Sequence, residues 1–302
     1  MVKIDLICGF LGAGKTTFLI KYANYLIERG ERICILENDY GAINVDMMLI
    51  SNLDCDREMV SGGCDYDCHL RRFRTKLISM AMRGYTRVIV EPSGIYDTDE
   101  FFDVLYEEPL SNMYEIGNIF CIYDYNTKDL SYESRYILAS EASVAGKIIV
   151  SKRNDGKLLN LEYLNDIMAE FKSIKIFNDN DIVYEDDMDL NKLINVGYHS
   201  YDHIKIPINN DNNYESIYYL DSNITLEDIN SKKEYLFNDN IYGNVVRIKG
   251  FIFENNKWNK VNITKNEIEV DTVLEGQKVI IIIGENLNRN KISELLGDVG
   301  GL

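Results

Sequence analysis

Proline is almost missing from this chain. Pro92, Pro109 and Pro207 are the only three in 302 residues, so no proline-rich spacer separates its parts. Long apolar runs are missing as well. The longest strand-like one, Val279 to Ile283, falls far short of the ~20 residues that span a bilayer. The apolar start, Ile4 to Cys8, runs straight into glycines and Lys15 without a cleavage-type tail. The expectation is therefore a cytoplasmic chain with no signal peptide and no membrane partner. Basic residues are in deficit, with 32 Lys and Arg against 49 Asp and Glu for a formal charge of −17. Phosphate backbones and anionic bilayers repel such a surface, so no nucleic acid is expected as a partner. The acidity serves solubility, or it meets cations or a basic protein.

Hydrophobic residues make up 46% and charged ones 27%, the balance of a soluble globular protein with a real core. The length suits two domains. Six cysteines in a cytosolic chain are thiols, not a disulfide framework. Cys8, Cys34 and Cys121 lie in apolar strand-like runs and read as core. Cys55, Cys64 and Cys68 lie close together in polar sequence.

Strand and helix patterns alternate through the first two-thirds of the chain. Strands are expected at Ile4–Cys8, Ile33–Leu36, Arg87–Val90, Ile119–Tyr123, Lys147–Val150 and Ile174–Phe177, with helices at Lys15–Arg29, His69–Arg83 and Leu159–Phe171. The first helix puts Phe18, Leu19, Tyr22, Ala23, Leu26 and Ile27 on one stripe and ends at Gly30. Strands apolar on both faces argue for an α/β domain, a mostly parallel sheet flanked by helices. After residue 197 asparagine, aspartate and tyrosine become dense. Strands at His203–Ile208, Ser216–Leu220, Val245–Phe253 and Val279–Ile283, with helices at Leu226–Leu236 and Lys291–Leu296, make a smaller C-terminal α+β domain. The expected division is 1–197 and 198–302.

Gly9-Phe-Leu-Gly12-Ala13-Gly14-Lys15-Thr16 fits G-x-x-x-x-G-K-[ST] between an expected strand and an expected helix. Glycines let successive N–H groups converge on phosphate oxygens, and the new helix adds its positive end. Lys15 then bridges the β- and γ-phosphates, the Thr16 hydroxyl ligates Mg²⁺, and Gly12, Ala13, Gly14 and Thr17 complete the cradle. This is a P-loop NTPase domain. Strand Ile33–Leu36 ends in Glu37-Asn38-Asp39-Tyr40-Gly41 with Asp46 beyond, and strand Arg87–Val90 ends in Glu91-Pro92-Ser93-Gly94. Carboxylates at strand ends beside a phosphate loop are where Mg²⁺ and the attacking water are organised. The bland alternative is polar turns with capping aspartates. The candidate catalytic set is Lys15, Asp39 and Glu91, with Thr16, Asp39 and Glu91 on Mg²⁺ and Gly94 beside the γ-phosphate.

The run from Gly9 to Thr17, Asn38-Asp39-Tyr40-Gly41 with Asp46, Gly62-Gly63-Cys64, and Glu91-Pro92-Ser93-Gly94 together resemble the CobW-like GTPases, kin to the UreG and HypB metal-insertion GTPases. The family's C-terminal Arg-x-Lys-Gly stretch is similar to Arg247-Ile248-Lys249-Gly250. The resemblance spans nearly the whole chain. It implies GTP and Mg²⁺ as cofactors, slow intrinsic hydrolysis, and a metal chaperone or metalloenzyme activator that hands Zn²⁺, Co²⁺ or Fe²⁺ to a client metalloprotein. It also allows a nucleotide-dependent homodimer.

Two segments depart from the family pattern. Its guanine-reading Asn-Lys-x-Asp stands here as Ser151-Lys152-Arg153-Asn154, followed by Asp155. An aspartate accepts from guanine N1–H and N2–H₂, whereas the Asn154 amide offers one acceptor and one donor. GTP against ATP thus stays open. Its Cys-x-Cys-Cys stands as Cys64-Asp65-Tyr66-Asp67-Cys68-His69.

Cys64, Cys68 and His69 offer two thiolates and an imidazole. Cys55 or a carboxylate of Asp65, Asp67, Glu37 or Asp39 would close a tetrahedron suited to Zn²⁺, with Cu(I), Co²⁺ or Fe²⁺ as other occupants. The alternative is ordinary thiols on a loop, with His69 starting the next helix. The other two histidines, His199 and His203, form His-x₃-His in a segment leading into a strand, and no His-rich stretch occurs. Arg71, Arg72 and Arg74 read as a solvated helix face, and Trp258 as a packing residue. Two further functions compete: a metal-free nucleotide switch gating cofactor loading of a partner enzyme, and a small-molecule kinase. The latter lacks an arginine-rich lid.

Overall fold

The computed structural model describes residues 1–39, 50, 53–61, 66–94, 96, 98–128, 130–153, 156–199, 214–220, 222–265, 267–274, 276 and 278–297. Its contacts divide the chain into two compact units, Met1–Pro207 and Ile208–Leu302. Among the described residues no helix is long and apolar enough to cross a membrane.

The first unit is built from β1 (Val2–Gly9), α1 (Lys15–Glu28), β2 (Ile33–Asp39), β3 (Asp56–Ser61), α2 (Tyr66–Ala81), β4 (Arg87–Pro92), α3 (Thr98–Tyr106), β5 (Tyr114–Asp124), α4 (Tyr132–Val144), β6 (Lys147–Ser151), α5 (Leu161–Glu170) and β7 (Ile182–Tyr184). The strands form one parallel sheet in the order β3-β2-β4-β1-β5-β6-β7. β1 lies in the middle, so the chain leaves it in one direction for β4, β2 and β3 and in the other for β5, β6 and β7. A crevice at the carboxyl ends of strands opens at such a switch point. Five strand ends meet there, at residues 9, 39, 92, 124 and 151.

The stripe read from α1 is the stripe that packs: Phe18, Leu19, Tyr22, Ala23 and Leu26 are buried against Ile7, Ile33, Ile35, Ile89, Phe120 and Ile122. Edge-to-face contacts of Phe120 with Phe18 (5.1 Å) and Tyr22 (5.2 Å) fix the helix on the sheet. A polar knot sits within this core. Asp5, fully buried, takes both carboxylate oxygens to Arg87 Nη1 at 2.9 and 2.7 Å, and accepts from Tyr22 Oη at 2.7 Å and from Asn118 N at 2.8 Å. Burial pushes the Asp5 carboxyl upward in pKa while Arg87 pulls it down. Removing one partner of such a pair costs ~3–5 kcal/mol, because the other charge stays buried.

Two strand assignments here differ from expectation. Ile174–Phe177 is not a strand: Ile174 and Ile176 are exposed, and the edge strand forms later, at Ile182–Tyr184. Polar β3 escapes an apolar-run search because only Val60 in it is buried. Residues 203–208 lie outside the described residues.

The second unit holds β8 (Tyr214–Leu220), α6 (Leu226–Asn238), β9 (Asn244–Glu254), β10 (Lys257–Thr264), β11 (Ile268–Val273), β12 (Val279–Glu285) and α7 (Arg289–Leu296). Its sheet is antiparallel, ordered β11-β10-β9-β12-β8. Ile229, Leu236, Ile292 and Leu296 from the two helices close over Ile217, Ile248, Val261, Ile280 and Ile282. Trp258 packs on Phe253 with ring centroids 5.0 Å apart and the planes tilted by 55°, as a packing residue does.

Candidate functional site

β1 ends at Gly9, and the chain turns tightly enough for Ala13 N to donate to Phe10 O at 3.1 Å. Gly14 then caps α1 with φ 96° and ψ 21°, a left-handed conformation that only glycine adopts cheaply. Lys15 is buried and donates from Nζ to Gly9 O at 2.8 Å, so its ammonium lies folded over the loop. Thr16 Oγ1 donates to Glu91 Oε1 at 2.8 Å. Glu91 is in register with Glu37 on the neighbouring strand, and both are buried. Gly94 is forced by contact: a Cβ there would sit 2.6 Å from Leu11 N, so the β4 turn touches the phosphate loop itself. Thr17 is exposed beside the loop.

The β2 strand end has two faces. Ile33 and Ile35 face α1 in the core, and alternation carries Glu37 to that same side. Asn38 falls on the other side, where its Oδ1 lies 2.7 Å from Nε2 of His69, in the first turn of α2. Ser93 N also donates to the Asn38 carbonyl at 2.9 Å. His69 and Asn38 are both buried. His69 thus sits in the first turn of the helix, which begins at Tyr66, as a packed, hydrogen-bonded residue. Cys68, one position earlier, is half-buried.

At β6 the Ser151 hydroxyl donates to Ala13 O at 2.5 Å, tying the end of that strand to the phosphate loop. Lys152 turns through φ 56° and brings Nζ to 3.6 Å from Asp124 Oδ2 at the end of β5. Arg153 is held by Asp186 at 2.8 Å and lies 4.0 Å over the Tyr184 ring.

The crevice thus brings together Gly12, Ala13, Gly14, Lys15, Thr16, Glu91, Gly94, Ser151 and Lys152. Cys64 and Asn154 lie outside the described residues, as do Tyr40, Asp46, Asp65, Asp155 and His203. Asp39 ends β2 in register with Ser61. Among the described residues no group of three or more His, Cys, Asp and Glu side chains is placed to hold a metal. His199 lies apart, with Nε2 at 3.2 Å from Lys175 Nζ. Arg72 donates to Ser61 O at 3.0 Å and Arg74 pairs with Glu107. Burial pushes the Cys8 thiol far up and Cys34 up to about 12, as fits core residues.

Sequence reasoning missed Glu141. It is a fully buried carboxylate whose Oε1 accepts from Gly9 N at 3.1 Å. The available signal was a lone acid in the small and apolar run Ile137 to Val144.

A central β1, the loop wrapped around the start of α1, and a hydroxyl–carboxylate pair beneath it define a P-loop nucleotide-binding domain. Residues 3–177, more than half of the chain, match the family model "CobW/HypB/UreG, nucleotide-binding domain", and the chain belongs to this family. It is similar to the zinc chaperone YjiA of Escherichia coli (strain K12), 24% identical over 50% of this chain and 49% of the relative. It is also similar to the zinc chaperone YeiR of the same organism, 24% identical over 51% and 47%. The chain spans about half the length of these curated relatives. The solved Zn(II)-bound YjiA GTPase from E. coli aligns over 98% of both chains at 18% identity with a TM-score of 0.41.

Proposed function

We propose that this chain hydrolyses GTP slowly and couples the nucleotide's state to the binding and delivery of a transition metal such as zinc to a client metalloprotein or metalloenzyme. The reading rests on one observation above all. The end of β2 faces the Thr16–Glu91 pair through Glu37 on one side and the start of the Cys68 helix through Asn38 on the other. Any rearrangement of β2 on phosphate binding reaches both. The family match and the zinc-chaperone relatives support the same reading.

Thr16 and Glu91 present hard oxygen donors 2.8 Å apart, the donor type Mg²⁺ takes. With Asp39 they are the residues that would hold it, and bound Mg²⁺ neutralises phosphate charge. Lys15 reaches from Gly9 O toward the β- and γ-phosphates with its remaining donors, while Ser151, Lys152 and Asn154 serve the base. The cargo ion goes to Cys64 and Cys68, with Glu37, Cys55 or His69 completing the set. Co²⁺ and Fe²⁺ are alternative cargoes. A cytoplasmic setting and a nucleotide-dependent homodimer belong to the same proposal.

Titration of the reduced protein with Zn²⁺ against a chelating dye, with and without Mg²⁺ and a non-hydrolysable GTP analogue, tests it. One-to-one binding that shifts with the analogue, and is abolished in Cys64→Ser/Cys68→Ser, is the expected result. Unchanged affinity in the double variant sinks the cargo site. A metal-free switch gating a partner's cofactor loading is the second reading, favoured by the engagement of His69 Nε2 with Asn38. Absence of Zn²⁺ binding in either state would promote it.

A further inference from the structure

The residue that opens the phosphate loop is gripped from both ends of its peptide units. Gly9 N–H donates to Oε1 of Glu141 at 3.1 Å, and Gly9 C=O accepts from Nζ of Lys15 at 2.8 Å. The carboxylate comes from α4 and has no exposed surface. Its sequence neighbours on the helix, Leu138, Ala139 and Ala142, are buried as well. A carboxylate in such surroundings is costly unless it is hydrogen-bonded. α4 is itself fixed: the Ser140 and Thr98 hydroxyls lie 2.9 Å apart, tying it to α3, and Ser143 Oγ donates to Ser140 O at 2.9 Å. Glu141 thus reaches Gly9 from a rigid element. The opposite charges of Glu141 and Lys15 are both felt at the neighbouring Cys8 thiol, where they act in opposite directions.

These two grips differ in their tasks. The Lys15 ammonium has three N–H donors and is shared between Gly9 O and an incoming phosphate, whereas Glu141 lies on the α4 side of Gly9 and serves the loop. We propose that Glu141 is a positioning residue of the nucleotide site, holding the Gly9 peptide whatever Lys15 engages and placing a fixed negative charge behind the loop. This rests on the nucleotide-binding reading above. Two separable effects follow. The hydrogen bond fixes the path of residues 9–14 and favours phosphate binding. The charge opposes an incoming polyphosphate and offsets Lys15 while the site is empty.

The test uses the full chain and a fluorescent N-methylanthraniloyl GTP with Mg²⁺. Glu141→Gln keeps an acceptor for Gly9 N–H and removes the charge, so it binds the probe at least as tightly as wild type. Glu141→Ala leaves a buried N–H without its acceptor and binds about tenfold more weakly. Glu141→Asp, a methylene short of Gly9, is also weaker and serves if the alanine variant does not fold. A purely structural role lowers the melting temperature of the variants without putting glutamine at or above wild type in affinity. Glutamine falling with alanine, or equal affinity in all variants, overturns the proposal. If wild type binds neither guanine nor adenine nucleotide, it is the functional reading that fails. Amide exchange at Gly9 in the nucleotide-free protein then decides: faster in alanine and unchanged in glutamine supports Glu141, and equal rates overturn it.

Discussion

Nε2 of His69 lies 2.7 Å from Oδ1 of Asn38, joining the first turn of α2 to the last turn-out of β2 inside the protein. Both side chains are buried, so the bond is not exchangeable for one to water. Asn38→Ala leaves the imidazole without this acceptor and is expected to cost about 1–3 kcal/mol in urea unfolding. It should also shrink the factor by which Mg²⁺ and a GTP analogue change Zn²⁺ affinity. By linkage the same shrinkage must appear in the effect of Zn²⁺ on analogue affinity. Full coupling in a destabilised Asn38→Ala protein would falsify the link between the two sites.

Thr16 and Glu91 supply a second expectation. Their 2.8 Å hydrogen bond holds a hydroxyl and a carboxylate at the mouth of the phosphate loop. Thr16→Ala and Glu91→Gln should each lower kcat for GTP by about 10²–10³, the scale seen when one preorganised electrostatic contact is lost. The Mg²⁺ dependence of analogue binding should flatten in both. Retention of the wild-type Mg²⁺ dependence in either variant assigns the ion elsewhere.

Legibility in the sequence followed the physics of each signal. The phosphate loop was legible because a backbone that curls around phosphates needs glycine at Gly14, and the signature is local. The parallel sheet was legible because strands buried on both faces write continuous apolar runs, as in Ile33–Leu36 and Arg87–Val90. β3 was not, since its burial falls on Val60 alone. Ile174–Phe177 misled for the opposite reason: it is apolar, yet Ile174 and Ile176 project outward. Glu141 and the pairing of His69 with Asn38 were invisible because their meaning lies in contacts 132 and 31 residues apart. No periodicity records such a contact.

The proposed base recognition makes Asn154 the position to change. Of the two departures from the family pattern, Ser151 is engaged with Ala13 O, which leaves Asn154 as the one assigned to the base in the proposal. A carboxylate there accepts two donors from guanine, where the amide accepts one. Asn154→Asp should raise the ratio of GTP to ATP affinity by roughly tenfold to a hundredfold, the range for one added charge-assisted hydrogen bond. Competition of each nucleotide against the fluorescent GTP measures it. An unchanged ratio moves base recognition to another residue.

In the C-terminal unit, Thr225 and Asp228 close a reciprocal cap at the start of α6. Asp228 N donates to Thr225 Oγ1 at 3.0 Å, and Thr225 N and Oγ1 donate to Asp228 Oδ2 at 3.0 and 2.6 Å. The Thr225 hydroxyl first, and then Lys232, pull the Asp228 carboxyl down to about 2. A pKa lower in the folded than in the unfolded chain means the unfolded state takes up the proton first. The stabilisation is therefore complete above about pH 4 and drains away as pH falls toward 2. Solvent screens this carboxylate, which is 35% exposed, so the contribution is modest. Urea unfolding followed by the single tryptophan, Trp258, should show wild type more stable than Asp228→Asn at pH 5, with the two converging by pH 2. Thr225→Ala should cost about 1 kcal/mol at pH 5 through the lost cap. A wild-type advantage over Asp228→Asn that persisted undiminished at pH 2 would mean that the ionised carboxylate is not what holds the cap.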